Sequence, residues 1–92
     1  MKVVQTLMFS KAVKKLRKNQ KTDLDNAIKA VMKNPEIGES KVGDLAGVSV
    51  YKFKMVKQLT LLAYSYEDQT ITLTLLALGS HENFYRDLKR KT

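Results

Sequence analysis

The sequence predicts an α+β fold: an antiparallel-dominated, four-stranded sheet with an N-terminal helical hairpin and a C-terminal helix, in the order β-α-α-β-β-β-α. Three observations carry this. Two stretches near the N-terminus repeat apolar residues at helical spacing. Three stretches from Val48 onward have strand length and are rich in β-branched and aromatic residues. Between them lies a Gly-containing segment with no sustained period. The 92 residues read as one domain, 1–92, without internal repeat, linker or low-complexity tract.

Element by element, residues 2–8 (KVVQTLM) mix β-branched and apolar side chains over a strand length. Ser10 is positioned to cap a first helix whose stripe is Phe9, Ala12, Val13 and Leu16. After a turn at 19–21, Thr22 and Asp25 have the form of a capping box opening a second helix, with Leu24, Ala27, Ile28, Val31 and Met32 as its buried stripe. Asn34-Pro35 ends it, because a proline pushes the preceding residue out of helical geometry. Residues 36–47 (EIGESKVGDLAG) read as a loop. Strands then follow at 48–55 (VSVYKFKM), 59–66 (LTLLAYSY) and 70–78 (TITLTLLAL), the third nearly continuous in apolar residues and Thr, as suits an interior strand. Ser80 caps a last helix, with Phe84 and Leu88 as its core pair.

Charge and cysteine content narrow the function. Seventeen Lys and Arg against nine Asp and Glu leave a net charge of +8, and residues 1–22 contain seven cations and no acid. A field of this kind attracts polyanions: nucleic acid, an anionic surface or an acidic protein partner. No Cys is present, so disulfides and thiolate metal sites are excluded; with a single His, no metal site and no cofactor are expected. No apolar run reaches membrane-spanning length and no secretory leader precedes the first strand, so no membrane partner and a cytoplasmic location are expected. Phosphate-binding glycine loops, nucleophile elbows and zinc-protease motifs do not occur.

A small set of polar side chains remains. Lys52 and Lys54, two apart on a strand, point to the same face; on spacing alone they suit either an anion site or a solvated strand face. His81, the only histidine, follows the Ser80 cap. The positive end of a helix disfavours imidazolium, and a neutral imidazole suits proton transfer, although a polar helix start needs no chemistry. Tyr85 falls one helical turn beyond His81, where it either stacks on a base or docks the helix. Arg86, with Lys57, Lys89 and Arg90, supplies cations suited to phosphate or to solvent.

The order of elements, together with residues 43–54 (GDLAGVSVYKFK), 59–79 (LTLLAYSYEDQTITLTLLALG) and 80–90 (SHENFYRDLKR), resembles the RelE/ParE superfamily of toxins from bacterial type II toxin–antitoxin pairs. The Tyr-Lys-x-Lys strand and the Gly-Ser-His turn are similar to those of its RelE/YafQ-like branch. That resemblance implies a metal-independent mRNA endonuclease working on the ribosome, in which the ribose 2′-hydroxyl attacks the adjacent phosphate. Lys52 and Lys54 then match the strand lysines that stabilise phosphate charge, His81 the proton-exchanging position, and Tyr85 the aromatic that orients the scissile nucleotide. Arg86, Lys57, Lys89 and Arg90 are expected to bind the RNA backbone.

The chain departs from the pattern at two places. The branch's strand arginine is absent, Thr60 and Leu61 occupying that stretch, with Lys57 offering a replacement charge from the preceding turn. The second histidine of YafQ-like members is absent too. The superfamily's other branch, ParE-like, poisons DNA gyrase without these residues, so that activity is the alternative, as is a non-enzymatic nucleic-acid-binding module. Either toxin branch implies an antitoxin with an acidic toxin-binding segment; the RNase branch adds mRNA and the ribosome as partners.

Overall fold

The computed structural model of the chain describes residues 2–75. Five strands, β1 (Lys2–Gln5), β2 (Glu39–Ser40), β3 (Ser49–Met55), β4 (Gln58–Glu67) and β5 (Thr70–Leu75), form one sheet in the order β1-β5-β4-β3-β2. β1 pairs with β5 in parallel and every other pairing is antiparallel, so the sheet is mixed. The expected four strands are all present; the fifth, β2, lies in what reads as loop. It has two residues, and it exists because Glu39 and Ser40 pair with Val50 and Ser49 of β3. The predicted C-terminal helix falls outside the described residues.

Two helices, α1 (Leu7–Lys14) and α2 (Lys18–Lys33), follow β1. The strand is shorter than expected and the helix starts earlier, since Thr6, not Ser10, is the cap: its hydroxyl accepts the Phe9 N–H at 3.1 Å. Ser10 sits one turn inside, its own N–H donating to the Thr6 carbonyl at 3.0 Å. α2 likewise begins before Thr22. The Arg17 N–H donates to the Gln20 side chain at 2.8 Å, satisfying one of the orphan donors of the first turn. Thr22 is thus interior, its hydroxyl donating to the Lys18 carbonyl at 3.2 Å. The end of α2 is as expected. Asn34 caps it, and the Asn34 side chain accepts the Glu36 N–H at 3.2 Å to start a short 3₁₀ turn over Pro35–Ile37.

The helical stripes fall where the spacing puts them. Phe9, Leu24 and Val31 are buried with Met55, Leu62, Tyr64, Ile71 and Leu73 of the sheet, and Ala12, Val13, Leu16, Ile28 and Met32 pack against this core. Strand alternation selects the sheet's contribution: Leu62 and Tyr64 of β4 stand across from Tyr51 of β3 and Leu73 of β5 in register. Complete burial of each large apolar side chain is worth about 1.5–3 kcal/mol. The opposite face also has apolar content, in the buried Val50, Leu61 and Ala63, against which Met8 and Val48 pack.

Tyr64 ties the layers together. Its hydroxyl accepts the Gly38 N–H at 3.0 Å and donates to the Pro35 carbonyl, fixing the chain after α2 onto the centre of the sheet. Gly38 is required there by space: a Cβ would lie 2.7 Å from the Tyr64 hydroxyl and 2.8 Å from its ring.

Candidate functional site

β3 alternates as its sequence predicts. Tyr51, Phe53 and Met55 turn toward the helical layer, where Tyr51 and Phe53 stack with ring centroids 6.1 Å apart and planes 11° from parallel. Lys52 and Lys54 therefore emerge on the opposite face, and both are exposed. Along a strand, such same-face neighbours stand about 7 Å apart. Neither lysine enters an ion pair among the described residues, and an exposed ammonium pair on one strand face suits an anionic ligand.

The surroundings of the two lysines are apolar. In register, Lys52 stands across from Leu61 and Lys54 from Leu59. Leu61 is buried whereas Leu59 is 52% exposed, so the lysines rise beside a floor of leucine with one open edge. Apolar surroundings weaken solvent screening of a lysine–phosphate contact. Of the two residues in the stretch where the RNase branch carries its arginine, Thr60 faces the helices and is buried, its hydroxyl donating to the Gln58 carbonyl at 3.2 Å. Leu61 is the one on the lysine face, and it brings no charge.

Lys57 lies in the two-residue turn joining β3 to β4, closed by the Met55–Gln58 rung. Val56 and Lys57 have φ of +50° and +70°, the left-handed pair of a type I′ hairpin. Asn-Gly suits such a turn; a β-branched valine at positive φ is an outlier. Support comes from outside the hairpin. The Val56 N–H donates to the Asp23 carboxylate of α2 at 2.8 Å. Asp23 lies between Thr22 and Asp25, the residues whose spacing suggests a helix start, and no sequence signal marks its contact with the turn. The available signal was the short gap at 56–58 between two strand-like runs, which contains no Gly, Asn or Asp to set a tight turn.

The structure thus brings together Lys52 and Lys54, with Lys57 at the tip of the same hairpin. His81, Tyr85, Arg86, Lys89 and Arg90 lie outside the described residues. A shallow pocket of about 390 Å³ opens elsewhere, between the end of α2 and the β2–β3 edge, lined among the described residues by Asn34, Pro35, Ser40, Ser49 and Tyr66 with others; Lys52, Lys54 and Lys57 do not line it. A second cationic region covers the helical hairpin, where Lys11, Lys14, Lys15, Arg17, Lys18 and Lys21 are exposed and without ion pairs among the described residues. Among those residues, no cluster of His, Asp or Glu is arranged to hold a metal, and no helix is long and apolar enough to cross a membrane.

No curated protein and no solved structure matches the chain. A family model does, over residues 3–89, and its extent covers the sheet, the helical hairpin and the lysine strand alike. On that match, the chain belongs to the ParE-like toxins of type II bacterial toxin–antitoxin systems, and an antitoxin is its implied partner.

Proposed function

We propose that this toxin is a metal-independent endoribonuclease that cleaves mRNA in association with the ribosome. The observation that carries the reading is the pair Lys52 and Lys54, exposed on the sheet face away from the helices and without an ion pair among the described residues. Cleavage runs through attack of a ribose 2′-oxygen on the adjacent phosphorus. The 2′-hydroxyl gives up its proton, the new P–O bond closes a 2′,3′-cyclic phosphate, and the 5′-oxygen leaves with a proton. Two ammonium groups beside one phosphate stabilise the charge that accumulates on the non-bridging oxygens during attack. His81 takes the role of proton exchange and Tyr85 that of stacking on the scissile nucleotide. Lys57, Arg86, Lys89 and Arg90 hold the RNA backbone.

A specific observation also favours a second reading. The matching family model is ParE-like, and the lysine face carries Leu61 where the RNase branch carries arginine; both suit a gyrase poison. Inducible expression with primer-extension mapping of a reporter mRNA separates the two. Cuts inside translated codons are expected, abolished by His81→Ala and reduced by the Lys52→Ala/Lys54→Ala pair. Growth arrest with intact mRNA and gyrase-dependent DNA breaks would overturn the RNase reading in favour of the second. RNA binding without cuts or breaks would leave a nucleic-acid-binding module.

A further inference from the structure

The β3–β4 turn does not encode its own shape. Neither Val56 nor Lys57 is a residue that prefers positive φ, and Val56 is 45% exposed, so burial of its side chain does not supply the missing stabilisation. Among the described residues, the one hydrogen bond that reaches this turn from another element is the 2.8 Å contact between the Val56 N–H and the Asp23 carboxylate. A charge-assisted bond of this kind is among the stronger ones available at a surface. Asp23 also gains little from its own helix: it is well past the first turn of α2, where the helix dipole has faded.

We propose that Asp23 is a positioning residue for the cationic hairpin, holding the strained Val56–Lys57 turn so that Lys57 is presented in line with Lys54 and Lys52 toward a polyanion. This rests on the nucleic-acid reading above. The backbone dihedrals of the turn determine where Lys57 leaves the hairpin and how the Met55–Gln58 rung is closed, one residue from Lys54. Strained segments persist where surrounding structure over-determines them, often beside functional groups. Here that external structure is α2, so the helical layer sets the position of a charge belonging to the sheet.

The proposal predicts an effect opposite in sign to simple electrostatics. Removing an acidic residue from a basic surface should tighten RNA binding; removing the support of the turn should weaken it. Binding of a single-stranded RNA oligonucleotide to the purified full chain is measured by fluorescence anisotropy across a salt series. Asp23→Ala is expected to lose affinity and to lower the slope of log K against log[salt] by about 0.7, one phosphate contact on a single strand, as Lys57→Ala does. The double variant Asp23→Ala/Lys57→Ala should bind no more weakly than Lys57→Ala. Asp23→Asn, which keeps an acceptor, and Asp23→Ala/Val56→Asn, which supplies a residue tolerant of positive φ, should both restore the wild-type slope. Urea midpoints confirm that each variant is folded. Asp23→Ala binding as tightly as wild type or more tightly, or failure of Val56→Asn to rescue it, overturns the positioning role alone. Wild-type protein without RNA affinity overturns the nucleic-acid reading beneath it.

Discussion

The junction between Tyr64 and Gly38 offers a stability test whose size follows from the geometry. Tyr64→Phe removes the acceptor of the Gly38 N–H and the donor to the Pro35 carbonyl, two partly buried groups. An unsatisfied buried polar group costs about 1–3 kcal/mol, and partial access to water puts the pair together near the middle of that range, about 2 kcal/mol. For a chain of 92 residues, this corresponds to a fall in Tm of about 8–16 °C. Gly38→Ala acts on the same junction from the other side. Gly38 has φ of −78°, which alanine adopts freely, so its cost is steric. The new methyl would sit 2.7 Å from the hydroxyl and 2.8 Å from the ring, and a buried ring must move, at about 1–3 kcal/mol.

Moving the ring breaks the bonds that Tyr64→Phe removes, and deleting the hydroxyl relieves the closest part of the clash. The double variant should therefore be less destabilised than the sum of the singles by about 1 kcal/mol or more. Equilibrium urea unfolding followed by far-UV circular dichroism measures all three, since the chain has no Trp to report by fluorescence. Strict additivity, or a Gly38→Ala variant as stable as wild type, would refute the reasoning.

Two further tests address the helical layer and the core. Thr6→Ala deprives the Phe9 N–H of its cap and should cost about 1 kcal/mol, with Thr6→Ser close to neutral in the same urea titration; equal losses would remove Thr6 as the cap. Leu62→Ala, at a position with no exposure in the middle of the sheet, should cost about 2–5 kcal/mol, whereas Leu7→Ala, 71% exposed, should stay within about 0.5 kcal/mol; similar midpoints for the two would contradict the placement of the core.

What could be read from the sequence depended on the range of the interaction responsible. The alternation of residues 48–55 correctly put Lys52 and Lys54 on one face, because the period of a strand is a local property. The helical stripes and the stop at Asn34-Pro35 are equally local, and they stand. The helix starts failed for a different reason. Several residues along 6–25 are able to cap, and the sequence does not rank them. Gln20 reaching back to the Arg17 N–H displaced the more conventional signal at Thr22, and Thr6 displaced Ser10. β2 has too few residues to show a period, and its pairing with β3 defines it. The contact between Asp23 and Val56 joins residues 33 apart, so no window of neighbouring residues contains it. Of the candidate site, the strand lysines were legible, while the support for Lys57 was not.

The parallel pairing of β1 with β5 has a consequence for synthesis. Lys2 sits in register with Thr70 and Gln5 with Leu73, so the first of the described strands has its sheet partner among the last of the described residues. During elongation the helical hairpin can form from nearby contacts, and β3 and β4 can close through their two-residue turn. β1 has no strand to join until residues 70–75 have been made. Closing so long a loop adds entropy cost and slows assembly relative to the local elements. A toxin wired in this way has its helical hairpin and its β3–β4 hairpin available before the strand that unites β1 with the rest of the sheet.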